Sequence, residues 1–228
     1  MTEGAHPIAV RLEVALGAVA IILVVLGLAL APLVTPPYVK ALVSAVGSAE
    51  LTGLGSEATQ ATAEDVRRFV TDPSAPMLPS AIDGRPAYDG AAVAHLIDVR
   101  DVLVPALWLA AGLAVLVMAW VFVRRRSAQG RLATASAATY AGWALLAGCV
   151  LAIVAGALDF GVLFTRFHGL FFADGTWTFP EDALLIRVFP LGFWIAAGVS
   201  WGLLVALAAV VLIVLGARAR FTARYNGV

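Results

Sequence analysis

The chain has 228 residues, of which 61% are hydrophobic and 13% charged, and its 15 basic side chains balance its 15 acidic ones. Mean hydropathy is +0.93. An ordinary soluble domain carries about 25% charged residues, so this composition excludes one, and the zero net charge removes any electrostatic case for nucleic acid.

Four apolar runs account for the excess, at about Leu12–Val34, Val102–Val123, Leu132–Phe164 and Phe189–Ala217. Each reaches the roughly 20 residues that a helix needs to cross about 30 Å of hydrocarbon. The fold class expected is therefore an all-α membrane protein with four transmembrane helices: 12–34, 95–123 with an outward extension, 132–164 and 189–217. The first run is too long for the apolar core of a signal peptide, and Ala29-Leu30-Ala31 is followed by Pro32, a poor cleavage context, so it reads as a retained helix. Cys149, the lone cysteine, falls within the third run, where it has no internal disulfide partner and reads as a small packing residue.

Charge sets the expected orientation. The loop 124–131 holds Arg124, Arg125, Arg126 and Arg131 without an acid, and the tail 218–228 holds Arg218, Arg220 and Arg224 without one. Positive charge near helix ends stays cytoplasmic, which places that loop, the tail 1–11 and the C-terminal tail inside a cell membrane. Segments 35–94 and 165–188 are then extracellular, the first as a small cap. Within it, Thr62-Ala-Glu64-Asp65 ahead of Val66, Phe69 and Val70 predicts a capped amphipathic helix, which Pro73, Pro76 and Pro79 end. Ile82-Asp83-Gly84-Arg85 predicts a tight turn or small hairpin.

The histidines are His6, His95 and His168. His6 stands alone in the tail. Between Gly90 and Pro105 nothing breaks a helix, so the second span extends outward through His95 with Asp89 at its N-cap. At about 1.5 Å per residue, a helical path is about 46 Å from Arg126 to His95 and about 55 Å from Arg131 to His168. Both imidazoles thus reach the outer boundary, on adjacent spans. Two imidazoles flanking one site can divide the roles of base and acid at physiological pH, or each can be a wetted, backbone-bonded interfacial histidine. A zinc site is less well supported, since two His plus Asp98 would be a thin ligand set with no HExxH or cysteine spacing. The aromatic run Phe167, Phe171, Phe172, Trp177 and Phe179 suits either an interfacial belt or an apolar chamber. Asp159, inside the boundary, calls for a partner such as Arg100, Arg166 or Arg187, or serves as a hydrogen-bond acceptor between helices.

These residues resemble the lipoprotein intramolecular transacylase family, four-span integral membrane proteins. The resemblance rests on His95-Leu-Ile-Asp98-Val-Arg100, on Asp159-Phe160 with Phe164, Phe167-His168-Gly-Leu-Phe171-Phe172 and Trp177, and on Pro180, Asp182-Ala-Leu-Leu-Ile186 and Pro190. It implies a substrate that is a diacylglyceryl-modified lipoprotein in membrane lipid, whose sn-2 acyl chain moves to its own N-terminal cysteine amine. The product is a lyso-form lipoprotein, and no cofactor is needed. It implies His95 and His168 as the catalytic pair. Phe167, Phe171, Phe172, Trp177 and Arg100 are then substrate-binding candidates, and Asp98 and Asp159 supporting ones. Two other classes stay open at this stage. One is a non-enzymatic membrane scaffold or lipid-binding accessory protein; the other is a lipid-active hydrolase or transferase with another acceptor, although no GxSxG nucleophile is visible.

Overall fold

The computed structural model describes residues 7–82 and 84–225, so His6 and Asp83 lie outside the described residues. In chain order the elements are α1 (Pro7–Leu28), a 3-10 turn (Ala31–Val34), α2 (Pro36–Ala45), α3 (Ser48–Thr52), α4 (Ser56–Thr71), β1 (Ala81–Ile82), β2 (Arg85–Pro86), α5 (Gly90–Arg124), α6 (Ala128–Leu158), α7 (Phe160–His168), α8 (Leu184–Val188) and α9 (Leu191–Tyr225). Four segments among the described residues are long and apolar enough to cross a membrane: Ile8–Val34, Gly90–Arg124, Ala128–Leu158 and Leu191–Thr222. The chain is an all-α, multi-pass membrane protein. Trp108, Leu116, Leu158 and Leu203 are all more than half exposed, as lipid-facing side chains should be.

Of the boundaries that differ from those expected, such as α9 running on to Tyr225, two follow from local backbone geometry. The third run, legible as helix to Phe164, ends at Leu158 because Asp159 takes an extended backbone (φ −161°, ψ 102°) and caps a separate helix, α7. The amphipathic helix expected from Thr62 starts earlier, at Ser56, behind Gly55 at φ 80°. Thr62 therefore lies inside it, its hydroxyl turned back to the Ala58 carbonyl at 2.7 Å. No breaker stands between Ser56 and Thr62, so the helix runs back to the first glycine. The hairpin forms as antiparallel pairing of Ile82 with Arg85 and Ala81 with Pro86, with Gly84 at φ 73° in the turn.

The chain divides into two compact units. One comprises Met1–Ala29, Trp108–Val154 and Gly202–Val228. Here α1 meets α5 through Glu13, which accepts the Trp120 indole N–H at 3.0 Å and an Arg124 guanidinium N–H at 2.8 Å. Gly17 gives room for the same indole, since a Cβ there would stand 2.6 Å from the ring. Small residues set the closeness of α6 and α9: a Cβ on Gly142 would lie 2.7 Å from the Ala209 carbonyl oxygen, and one on Gly216 would fall onto the Thr139 hydroxyl. Lipid supplies no hydrophobic drive between spans, so this close backbone approach is what holds them. Ser127 caps α6 through the Gly130 N–H at 3.0 Å, tightening the arginine-rich turn.

The other unit comprises Leu30–Leu107 and Ala155–Trp201. Its core gathers Val39 and Val43 of α2, Ala63, Val66 and Phe69 of α4, Ala92 and Leu96 of α5, and Leu185 and Val188 of α8. The i, i+3 spacing of the α4 residues gives that helix one buried stripe, and Phe69 is fully buried. Ser48 ties α3 to α8 by donating to the Val188 carbonyl at 2.8 Å, and Arg67 grips Glu64 through two nitrogens while reaching the Val34 carbonyl at 3.2 Å.

Gly142→Leu is expected to lower stability by about 1–3 kcal/mol or more through overpacking. A reduced Tm of the detergent-solubilised chain would register it. Gly148→Leu, with nothing within 4 Å of its added Cβ, is the control and should leave Tm nearly unchanged.

Candidate active site

Asp89 starts the first of the two segments that build the site. Its carboxylate accepts the Ala92 N–H at 2.7 Å and its carbonyl the Val93 N–H at 3.1 Å, fixing the first turn of α5. His95 follows little more than a turn later and is 9% exposed. The second segment begins at Asp159, whose carboxylate accepts the Val162 N–H at 3.0 Å and so starts α7. That helix ends at His168, and the chain then wraps back on it: the Phe171 and Phe172 N–H groups both donate to the His168 carbonyl, at 3.0 and 2.8 Å.

The two imidazoles face each other, ring centroids 6.5 Å apart and planes tilted by 33°. Aromatic rings enclose them. Phe172 touches both, at 5.1 Å from His95 and 5.8 Å from His168. Phe179 lies 5.6 Å from His95, while Phe164, Trp177 and Phe167 lie 4.0, 4.7 and 5.5 Å from His168. Phe171 is one ring further out, packed on Phe167 at 5.3 Å.

One hydrogen bond assigns a tautomer. His168 Nδ1 is 2.8 Å from the Phe164 carbonyl oxygen. A carbonyl only accepts, so Nδ1 carries the proton and the neutral ring keeps its lone pair on Nε2. Burial holds the His168 imidazole below its ordinary value of 6.5, and the Phe164 bond partly opposes this. Two polar atoms in the same cluster are buried without any partner, His95 Nδ1 and Trp177 Nε1. Leaving such a group unsatisfied costs about 1–3 kcal/mol, so both are candidates for ligand contacts.

Of the remaining sequence-predicted residues, Asp98 lies near enough to His95 to act on it through its charge, and the others are engaged elsewhere. Arg100 sits with its guanidinium 5.0 Å from the Phe69 ring centroid and its Nε 3.7 Å from Asp101, contacts outside the imidazole cluster. Asp98 is exposed on α5. Asp159 forms no ion pair with Arg100, Arg166 or Arg187 among the described residues, because its carboxylate is engaged by backbone. Its place is to start the helix that delivers His168. Phe164 and Phe179 pack against the two imidazoles although neither was named among the substrate-binding candidates. Phe164 was signalled by its i, i+4 spacing to His168 on a helix, and Phe179 by its place in the aromatic run. Among the described residues, no group of three or more His, Cys, Asp or Glu gathers that could hold a metal ion.

Comparison with known proteins gives three kinds of result. No curated protein matches the chain. The fold is similar to in meso structures of the membrane integral lipoprotein intramolecular transacylase Lit from Bacillus cereus. One superposes with a TM-score of 0.70 at 15% identity, covering 96% of this chain and 100% of that one. A variant of the same Bacillus cereus protein with a histidine replaced by arginine gives 0.71 at 14% identity, covering 96% and 95%. Its histidine-to-alanine counterpart gives 0.71 at 14%, covering 95% and 96%. At such identities the likeness speaks for the fold alone. The family model for "Lipoprotein intramolecular transacylase Lit" matches residues 15–194, a stretch that takes in both histidines and the aromatic run. This chain belongs to the lipoprotein intramolecular transacylase Lit family.

Proposed function

We propose that the chain moves the sn-2 acyl chain of a diacylglyceryl lipoprotein onto the free amine of that lipoprotein's own N-terminal cysteine, leaving an N-acyl, S-monoacylglyceryl product. The observation that carries the reading is the pairing of His95 with His168 at 6.5 Å inside an aromatic cluster, in a chain of this family. His168 acts as the base. Its Nδ1 proton is committed to the Phe164 carbonyl, so Nε2 is the nitrogen free to take a proton from the attacking ammonium-derived nitrogen. As the C–N bond forms and the ester C–O bond breaks, His95, in its imidazolium form, gives a proton to the departing glyceryl oxygen and is restored by the one His168 took up. The amine loses one proton and the glyceryl oxygen gains one, so nothing is consumed. Donor and acceptor belong to one molecule, and holding amine and ester together can contribute up to about 7–11 kcal/mol in favourable cases.

Phe164, Phe167, Phe172, Trp177 and Phe179 supply apolar walls that suit an acyl chain and keep water from the ester. The arginine-rich turn and tail favour a cell-membrane orientation with both termini inside, so that the histidines work at the outer face, under the segment 35–94 as a cap.

In a purified system with a diacylglyceryl lipopeptide, His95→Ala and His168→Ala are each expected to lower turnover by about 10²–10⁴-fold. Mass spectrometry of the lipopeptide gives the rate, and an unchanged Tm shows that the variants fold. Full turnover in either variant would remove that imidazole from the mechanism. The pH dependence follows from the lowered His168 value. A base held below 6.5 is still neutral when the pH has fallen to 6.5, whereas the cysteine amine, with an ordinary value of about 7.7–8.0, gives kcat/KM an acid limb of its own. The His168 imidazole itself, followed by NMR, should titrate with a midpoint below 6.5, and a midpoint above it would contradict this reading of His168.

A further inference from the structure

We propose that Trp177 is a catalytic residue of this transfer: its indole N–H holds the ester carbonyl oxygen while negative charge builds there. The inference rests on the reaction proposed above and adds to it the group that stabilises the tetrahedral intermediate. Four observations converge. Trp177 Nε1 is buried and has no hydrogen-bond partner. The indole lies over His168, with centroids 4.7 Å apart and planes tilted by only 31°, so the two rings present their edges to the same neighbourhood. The other ring packed on the indole, Phe164 at 6.1 Å, offers no side-chain acceptor. A wall alone is built here from phenylalanine; the one indole among them adds one polar atom.

The chemistry of that atom selects the ligand group. An indole N–H donates and never accepts, so it is satisfied by an oxygen and not by an ammonium group or an acyl chain. The ester carbonyl is the acceptor that the reaction brings. When the amine nitrogen bonds to the carbonyl carbon, the C=O π pair moves onto oxygen, and Trp177 Nε1 donates to that oxygen without losing its proton. Collapse of the intermediate returns the pair to carbon and expels the glyceryl oxygen, which takes its proton from imidazole. A donor placed in a dry site favours the intermediate over the neutral ester, and so acts on kcat more than on binding.

The test replaces the Trp177 indole by its benzothienyl isostere, which puts sulfur in place of N–H while keeping the bicyclic shape, in the full chain acting on a synthetic diacylglyceryl lipopeptide. The expected result is a fall in kcat of about 10²-fold, the range seen for loss of one oxyanion donor, with KM held within about threefold. Trp177→Phe should lose at least as much. An isostere with unchanged kcat, or with only KM raised, would overturn the proposal and leave Trp177 as a wall. His168→Ala in the same assay separates the two claims. If it is inactive while the isostere is fully active, only the indole role fails; if it retains full turnover, the histidine mechanism fails.

Discussion

A single hydrogen bond, between His168 Nδ1 and the Phe164 carbonyl, decides which face of that imidazole is left for chemistry. It exists because α7 is helical through its last turn, which brings a carbonyl four residues back under the ring. The helix exists in turn because Asp159 stops α6 and satisfies the first N–H groups of a new segment. A carboxylate that looked, from its depth, like a candidate for ion pairing is instead the device that ends one helix and starts the next. The order and orientation of the catalytic candidates follow from a capping interaction worth about 1 kcal/mol.

The surroundings explain why an acyl transfer suits this place. Rings of phenylalanine and tryptophan pack around both histidines, of which His95 is buried and His168 half-buried. An ester meeting an amine in water competes with hydrolysis, whereas an ester in an apolar enclosure meets only the nucleophile attached to it. Leaving His95 Nδ1 and Trp177 Nε1 unpaired carries a cost that hydrogen bonds to a ligand can offset. Elsewhere the fold is held by other means: close backbone approach at Gly142 and Gly216 in one unit, and a buried apolar core around Phe69 in the other.

The legible part of this molecule was that governed by regular geometry. Apolar run lengths gave the four spans, and the places of His95 and His168 past the ends of adjacent spans anticipated their meeting, although the continuous helical path read to His168 is broken at Asp159. Asp89 ahead of an unbroken stretch marked the start of α5. The break at Asp159 was hidden because the run from Leu132 to Phe164 has the hydropathy of one long helix, and a single carboxylate can either ride on it or cap. The helices α2 and α3 were hidden because their stops, Gly47 and Gly53 at φ 71° and 66°, are recognisable only once the backbone is known. Arg100 was read toward the substrate, yet its stem and charge are spent on Phe69 and Asp101. Tautomers and orphaned donors depend on three-dimensional partners, and no spacing rule supplies them.

The central claim, an acyl chain passing within one molecule under two imidazoles, is tested most directly by following the chain itself. Purified protein is given an equal mixture of two diacylglyceryl lipopeptides with different peptide sequences, only one of them deuterated in its sn-2 chain, and the amine-acylated products are analysed by mass spectrometry. The account predicts deuterium on the amine of its original peptide alone, each product retaining one acyl chain on the glyceryl group. Deuterated chains distributed over both peptides, or released as free fatty acid, would contradict it.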